Sequence, residues 1–208
     1  MADSTGSLLP NVTLPGSDPS RAREMVSLID QVLAILDPST TPAARATPAR
    51  FLLRVAWHEG DRLRARAQYQ DGPARSFFQL EAHRARDAGD YARMKGWLGT
   101  LGKLAGVPEA PLRDAFLALP SWNAADPAAS AWFPAGNQVG TLLEKSDAFG
   151  IALTRIAFKK IPAAIPTSIQ EQAAYWYKYW KRAGGDPGAL QSAFAAEASS
   201  LETMLAGA

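Results

Sequence analysis

Met25, Leu28, Ile29, Val32, Leu33 and Leu36 return every three or four residues, and Asp37-Pro38 follows at once. That spacing sets six apolar side chains on one stripe of a helix over 21–36, a stripe that other elements must cover. Ser20 supplies a capping hydroxyl at one end and the Pro38 ring stops the helix at the other. A chain with this pattern has to build its core by packing helices, and its composition agrees. Alanine is abundant, 47% of the residues are hydrophobic and long β-branched alternations are few. Ala and Leu lose little entropy in a helix, whereas strands favour Val, Ile and Thr. The expected fold class is mainly α, with at most a small β element.

Further signals divide the remaining chain. Thr47-Pro48 is a cap followed by proline at a first helical position, opening a helix whose Phe51, Leu52, Val55 and Ala56 lead to Trp57-His58-Glu59. Gly60 ends it, which puts Glu59 at a helix C-terminus. Residues 60–76 are polar and basic with an Asp71-Gly72-Pro73 turn, and predict a short hairpin or irregular loop. Helical patterns resume at 78–88, 90–104, 108–119 and 138–159. Between them, 120–137 reads as a loop whose Trp122 and Trp132 are expected to pin it to the body. Ser168-Ile169-Gln170-Glu171 has capping-box spacing and starts a helix through Tyr175-Trp176-Tyr177-Lys178-Tyr179-Trp180. Asp186-Pro187 starts the last, over 187–205. Residues 1–19 are rich in Ser, Pro, Gly and Asp, and predict an extended arm that orders against a partner. Residues 20–208 are expected to form a single helical domain.

Several classes of function are disfavoured by what the chain lacks. It has no cysteine, which removes disulfides and thiolate metal sites. His58 and His83 have no third ligand at a recognisable spacing, so no metal is expected. Neither a phosphate-binding glycine loop nor a Gly-x-Ser-x-Gly elbow is present, and no cofactor is expected. The formal net charge is +2, with arginines concentrated in 45–93. This predicts a local basic face, most simply a salt-bridged one, rather than a specific nucleic-acid binder. No apolar run is long enough to span a membrane, and the start lacks the basic and apolar regions of a signal peptide.

The chemistry concentrates around Glu59. A carboxylate at the negative end of a helix, partly desolvated by an apolar run, is expected to have a raised pKa and to serve as a general acid. The connection after it carries Gly72-Pro73-Ala74-Arg75-Ser76, then Phe77-Phe78-Gln79. This order of helix, glutamate, turn and aromatic-Gln pair resembles the lysozyme-like superfamily, in particular soluble lytic transglycosylases and small phage virion-associated peptidoglycan hydrolases. The resemblance covers about 48–88. Gly60, Ser76 and Phe78 stand where that family often has Ser, Gly and Met, and its Tyr-Asn-Ala-Gly-like motif has only Tyr175 as a loose counterpart.

The resemblance implies a lysozyme-like α+β fold, with a small hairpin or loop region after the catalytic helix. It implies cleavage between N-acetylmuramic acid and N-acetylglucosamine, Glu59 protonating the leaving oxygen. In a transglycosylase the same residue then activates the sugar's own 6-hydroxyl to give a 1,6-anhydro end, and no second carboxylate is needed. A muramidase uses water, and Asp71 and Glu81 are the candidates for its second acid. Gln79, Arg75, Phe78 and Tyr175 are the candidate substrate contacts; the aromatic block at 175–180 reads first as core packing, with a wall of a sugar groove or a protein-docking face as the alternatives. The partners so implied are peptidoglycan glycan strands and, through the arm, other virion or tail proteins. The implied setting is a phage virion, with the protein made in the host cytoplasm and acting in the periplasm during cell-wall penetration. The alternative is a structural virion or tail protein that keeps the scaffold without catalysis.

Overall fold

A computed structural model describes residues 19–66, 72–181 and 185–207. Most of the expected arm and the candidate Asp71 lie outside the described residues. The described chain is mainly helical, with ten helices in order: α1 (Pro19–Leu36), α2 (Pro42–Glu59), α3 (Ala82–Met94), α4 (Leu98–Ala105), α5 (Glu109–Leu117), α6 (Pro127–Ala131), α7 (Gln138–Lys145), α8 (Asp147–Lys159), α9 (Ile169–Tyr179) and α10 (Pro187–Ala206). Among the described residues the isolated antiparallel bridge between Arg75 and Leu80 is the one strand-like pairing. Residues 20–208, expected as one domain, group into two compact units.

One unit is built from two distant stretches of chain and holds α1, α2, α9 and α10. The stripe of α1 does what its spacing predicts: Met25, Ile29 and Val32 are wholly buried, and α1 packs along α2. The helix carrying Glu59 starts earlier than Thr47. Thr41 is its N-cap, accepting from the Ala44 N–H at 3.3 Å, with Pro42 in the first turn and Pro48 inside the helix. The Thr-Pro signal occurs twice here, and the earlier copy governs. Pro48 forgoes one N–H bond, but Phe51, Leu52 and Leu53 are fully buried and hold α2 together across it.

Beyond Gly60 the backbone makes a left-handed turn on residues that are not glycine. Asp61, Arg62 and Leu63 have φ of 47°, 56° and 63°. Each sits in a region that costs an L-residue about 1–2 kcal/mol. The turn is held by Arg62 N–H donating to Trp57 O at 2.7 Å, Arg64 N–H to Gly60 O at 2.8 Å, and burial of Leu63. Since Arg62 is exposed, Arg62→Gly is expected to relieve its share and raise stability by about 0.5–1 kcal/mol. Urea unfolding of both forms measures this; an unchanged midpoint contradicts the strain.

The other unit holds α3 to α8. Its centre is α8, buried from Asp147 through Thr154, with α3, α4 and α7 packed on it. The expected helix over 138–159 is broken at Ser146, whose hydroxyl caps α8 by accepting from the Phe149 N–H at 3.2 Å. Conversely α3 runs unbroken through Gly89. That glycine is needed for contact, since a Cβ there would lie 2.4 Å from the Phe116 ring of α5. The short segment 75–80 closes through Arg75 N–H to Leu80 O at 2.9 Å and Leu80 N–H to Arg75 O at 2.8 Å. Inside it Ser76 and Gln79 have positive φ.

Within α8 the Thr154 hydroxyl is fully buried and finds no hydrogen-bond partner among the described residues. An unsatisfied buried hydroxyl is costly, and an apolar group of the same shape removes that cost. Thr154→Val is therefore expected to stabilise the protein by about 1 kcal/mol. A lower urea midpoint for the variant is the contrary result.

Candidate functional site

The C-terminal turn of α2 carries the polar chemistry of its unit. Gly60 N–H closes the helix on Ala56 O at 3.0 Å, leaving the partly buried Glu59 as the last helical residue. Its carboxyl oxygen Oε1 accepts the indole N–H of Trp176 at 2.8 Å. Trp176 belongs to α9 and is 1% exposed. Its ring stacks on Phe194 of α10, with centroids 5.0 Å apart, and meets the His58 ring edge-on at 4.7 Å. A side chain this confined fixes where its N–H points, and through it the position of the carboxyl group.

Polar groups recur one turn apart down this face of α2. Arg50, Arg54 and His58 are spaced by four residues, so they lie one above another on the helix. Glu202 takes Arg50 at 3.4 Å and Arg54 at 2.8 Å, while Glu197 meets His58 Nδ1 at 2.8 Å. These pairings advance along α2 as they retreat along α10, so the two helices run antiparallel. Arg54 also donates to Gln172 Oε1 at 2.7 Å, and Gln172 in turn donates to Pro166 O at 2.7 Å. The buried guanidinium is thus matched by an acid and an amide oxygen, as a charge in an apolar core requires.

An indole N–H can only donate. It suits either an ionised Glu59 or the carbonyl oxygen of the neutral acid, so the contact is compatible with both states of the carboxyl group. His58, edge-on to the same indole, also meets Glu197, a further carboxylate at this end of α2. Sequence reasoning missed both partners. Trp176 lay within the aromatic block, where Tyr175 was the residue singled out; Glu197 is one of two acids on the alanine-rich α10 and belongs to no motif.

The other candidates lie elsewhere. Tyr175 shares the unit of Glu59 but is buried, its hydroxyl donating to Ala163 O at 3.1 Å and its ring lying against Phe51 and Tyr179. Arg75, Phe78, Gln79 and Glu81 belong to the other unit. Phe78 is 1% exposed, so it presents no surface for a sugar. Gln79 turns its amide back onto Ser76 O at 3.1 Å. Arg75 pairs with Glu144 at 2.5 Å and donates to Gly72 O at 2.6 Å. Glu81 stands at the N-cap position of α3, with a carboxyl oxygen 3.7 Å from His83 Nδ1. Arg66 forms a two-pronged pair with Asp147 at 2.8 and 2.7 Å and lies over the buried Phe77 ring. Much of the arginine-rich stretch is thus engaged in internal ion pairs.

Among the described residues no three His, Asp or Glu side chains converge to hold a metal. None of the described helices is long and apolar enough to cross a membrane. In comparisons with known proteins the chain matches no family model, no curated protein and no solved structure.

Proposed function

We propose that this chain cleaves the glycan strands of peptidoglycan, as a lytic transglycosylase or muramidase does, with Glu59 as the proton donor. The observation that carries the reading is the setting of Glu59: a partly buried carboxyl on the last turn of a helix, held by a confined indole N–H. Glu59 gives its proton to the glycosidic oxygen as the bond to C1 breaks and positive charge builds on the ring. The resulting carboxylate then removes a proton from the sugar's own 6-hydroxyl, whose oxygen attacks C1. Bond-making and proton balance close on one residue, and the product ends in a 1,6-anhydro sugar. If water attacks instead, Glu197 joins Asp71 and Glu81 as a candidate base.

The proposed setting is a phage virion, the chain acting on the cell wall during penetration and meeting other virion or tail proteins. A second reading, a virion or tail structural protein without catalysis, is favoured by one specific set of observations. Phe78 and Tyr175 are buried, and Gln79 and Arg75 are engaged with their own backbone or with Glu144. Incubating the purified chain with purified sacculi separates the two. Release of soluble muropeptides supports catalysis, and sacculi left intact by a folded chain, free or presented in the particle, support the structural role.

A further inference from the structure

Among the described residues the most exposed aromatic side chains are not those of the 175–180 block, where Tyr177 and Tyr179 are partly buried. Tyr175, Trp176 and Trp180 are buried, whereas Trp122 and Trp132 are 48% and 49% exposed. They bracket the short helix α6 in the segment that the sequence suggested was pinned to the body by these two rings. The segment is fastened by other groups. Asn137 donates to Ala115 O at 3.0 Å, and Phe133 packs so closely on Gly140 that a Cβ there would lie 3.1 Å from its ring. His83, 1% exposed, meets the Ser130 carbonyl at 3.3 Å and lies under the Trp122 ring at 4.8 Å. The anchoring is complete without burying either indole, and a half-exposed indole held from beneath is a preformed aromatic surface.

From this we infer that residues 120–137 form a saccharide-binding face of their own, distinct from Glu59. Sugars have one face of C–H groups that stacks on an aromatic ring and a rim of hydroxyls that bonds to acceptors. Both elements are present. Glu81, one-third exposed, lies 3.7 Å from the same His83, and Asn123 and Asp126 are exposed in the same segment, each with one side-chain oxygen taking a backbone N–H, of Ala125 and Ala129. Charge argues against a polyanion: from Ala118 to Gln138 the single charged residue is Asp126, and nucleic-acid sites need Lys or Arg for the phosphates. A neutral oligosaccharide fits this surface; the choice of an N-acetylhexosamine rests on the function proposed above, while its binding does not require that Glu59 be catalytic.

The test is titration of the full-length chain with a chitin tetrasaccharide and, separately, with soluble peptidoglycan fragments, following the indole N–H resonances by NMR. Trp122→Phe and Trp132→Phe assign the two signals. Both are expected to shift on addition of sugar. Trp122→Ala is expected to weaken binding by about tenfold, with Trp122→Phe retaining most of it and Glu59→Gln leaving it unchanged. As both rings are half in solvent, the variants should melt with the wild type, and this is checked alongside. Absence of a shift at either indole overturns the inference, as does sugar binding in Trp122→Ala and Trp132→Ala as strong as in the wild type. Sugar binding by a wild-type chain that cleaves no glycan would count against the role of Glu59 and leave this face standing.

Discussion

Glu59→Gln is expected to lower the rate of glycan cleavage by about 10²–10⁴-fold, the usual contribution of a positioned proton donor. The amide is the same size as the acid and keeps a carbonyl oxygen for the Trp176 N–H, whose bond to Glu59 is 2.8 Å long. Folding should therefore be preserved, with melting close to that of the wild type. What the amide lacks is the proton to give and the basicity to take one back. Initial rates of dye release from labelled sacculi, beside a thermal melt of each protein, make the comparison. A variant that cleaves at the wild-type rate removes Glu59 from the reaction, whatever else the chain does.

Trp176→Ala is expected to have the largest effect on stability. The ring is 1% exposed, stacks on Phe194 and carries the bond to Glu59. Its removal leaves a cavity between α9 and α10 and takes a donor from a carboxylate. Loss of a large buried aromatic costs about 3–5 kcal/mol, which for a chain of this size lowers the melting temperature by roughly 6–20 °C. Trp176→Phe separates packing from the hydrogen bond, since it keeps most of the stacking surface and loses the N–H. A melt of Trp176→Ala within a degree or two of the wild type contradicts the packing described for α2, α9 and α10.

Elements that their own sequence specifies were legible. The stripe of α1 appears where the periodicity puts it, although the helix begins at Pro19 and takes in the expected cap Ser20, and α10 starts at Asp186-Pro187 as its cap predicts. So does the Ser168 cap, which accepts the Glu171 N–H at 3.2 Å, although its hydroxyl also donates to the Glu171 carboxylate. Choices between equivalent local signals were not legible. Thr41-Pro42 and Thr47-Pro48 carry the same instruction, and only the buried run Phe51 to Ala56, which tolerates Pro48 within the helix, decides for the earlier one. Ser146 interrupts an apolar pattern that continues on both sides, so the break between α7 and α8 left no periodicity signal.

The site follows the same logic. Glu59 at a helix end was readable from Gly60 and the apolar run before it. Its partner was not, because Trp176 stands 117 residues further along the chain and sequence spacing holds no information about that contact. Exposure was harder still. Phe77, Phe78, Trp122 and Trp132 are all aromatic residues in turn-rich surroundings, yet the first two are buried and the last two are half in solvent. Which ring enters the core depends on what packs over it. Phe77 and Phe78 are enclosed by their unit, whereas Trp122 lies over His83, which is itself buried and already fills the space beneath the indole.

The measurement that tests the central claim most directly is the mass of the muropeptides released from purified sacculis by the wild-type chain. One carboxyl acting in turn as acid and base predicts 1,6-anhydro ends, lighter by one water than the hydrolysed fragments. Fragments with reducing ends contradict the single-residue cycle and move attention to Glu197, Glu81 and Asp71; no fragments from the folded chain, free or in the particle, contradict cleavage itself.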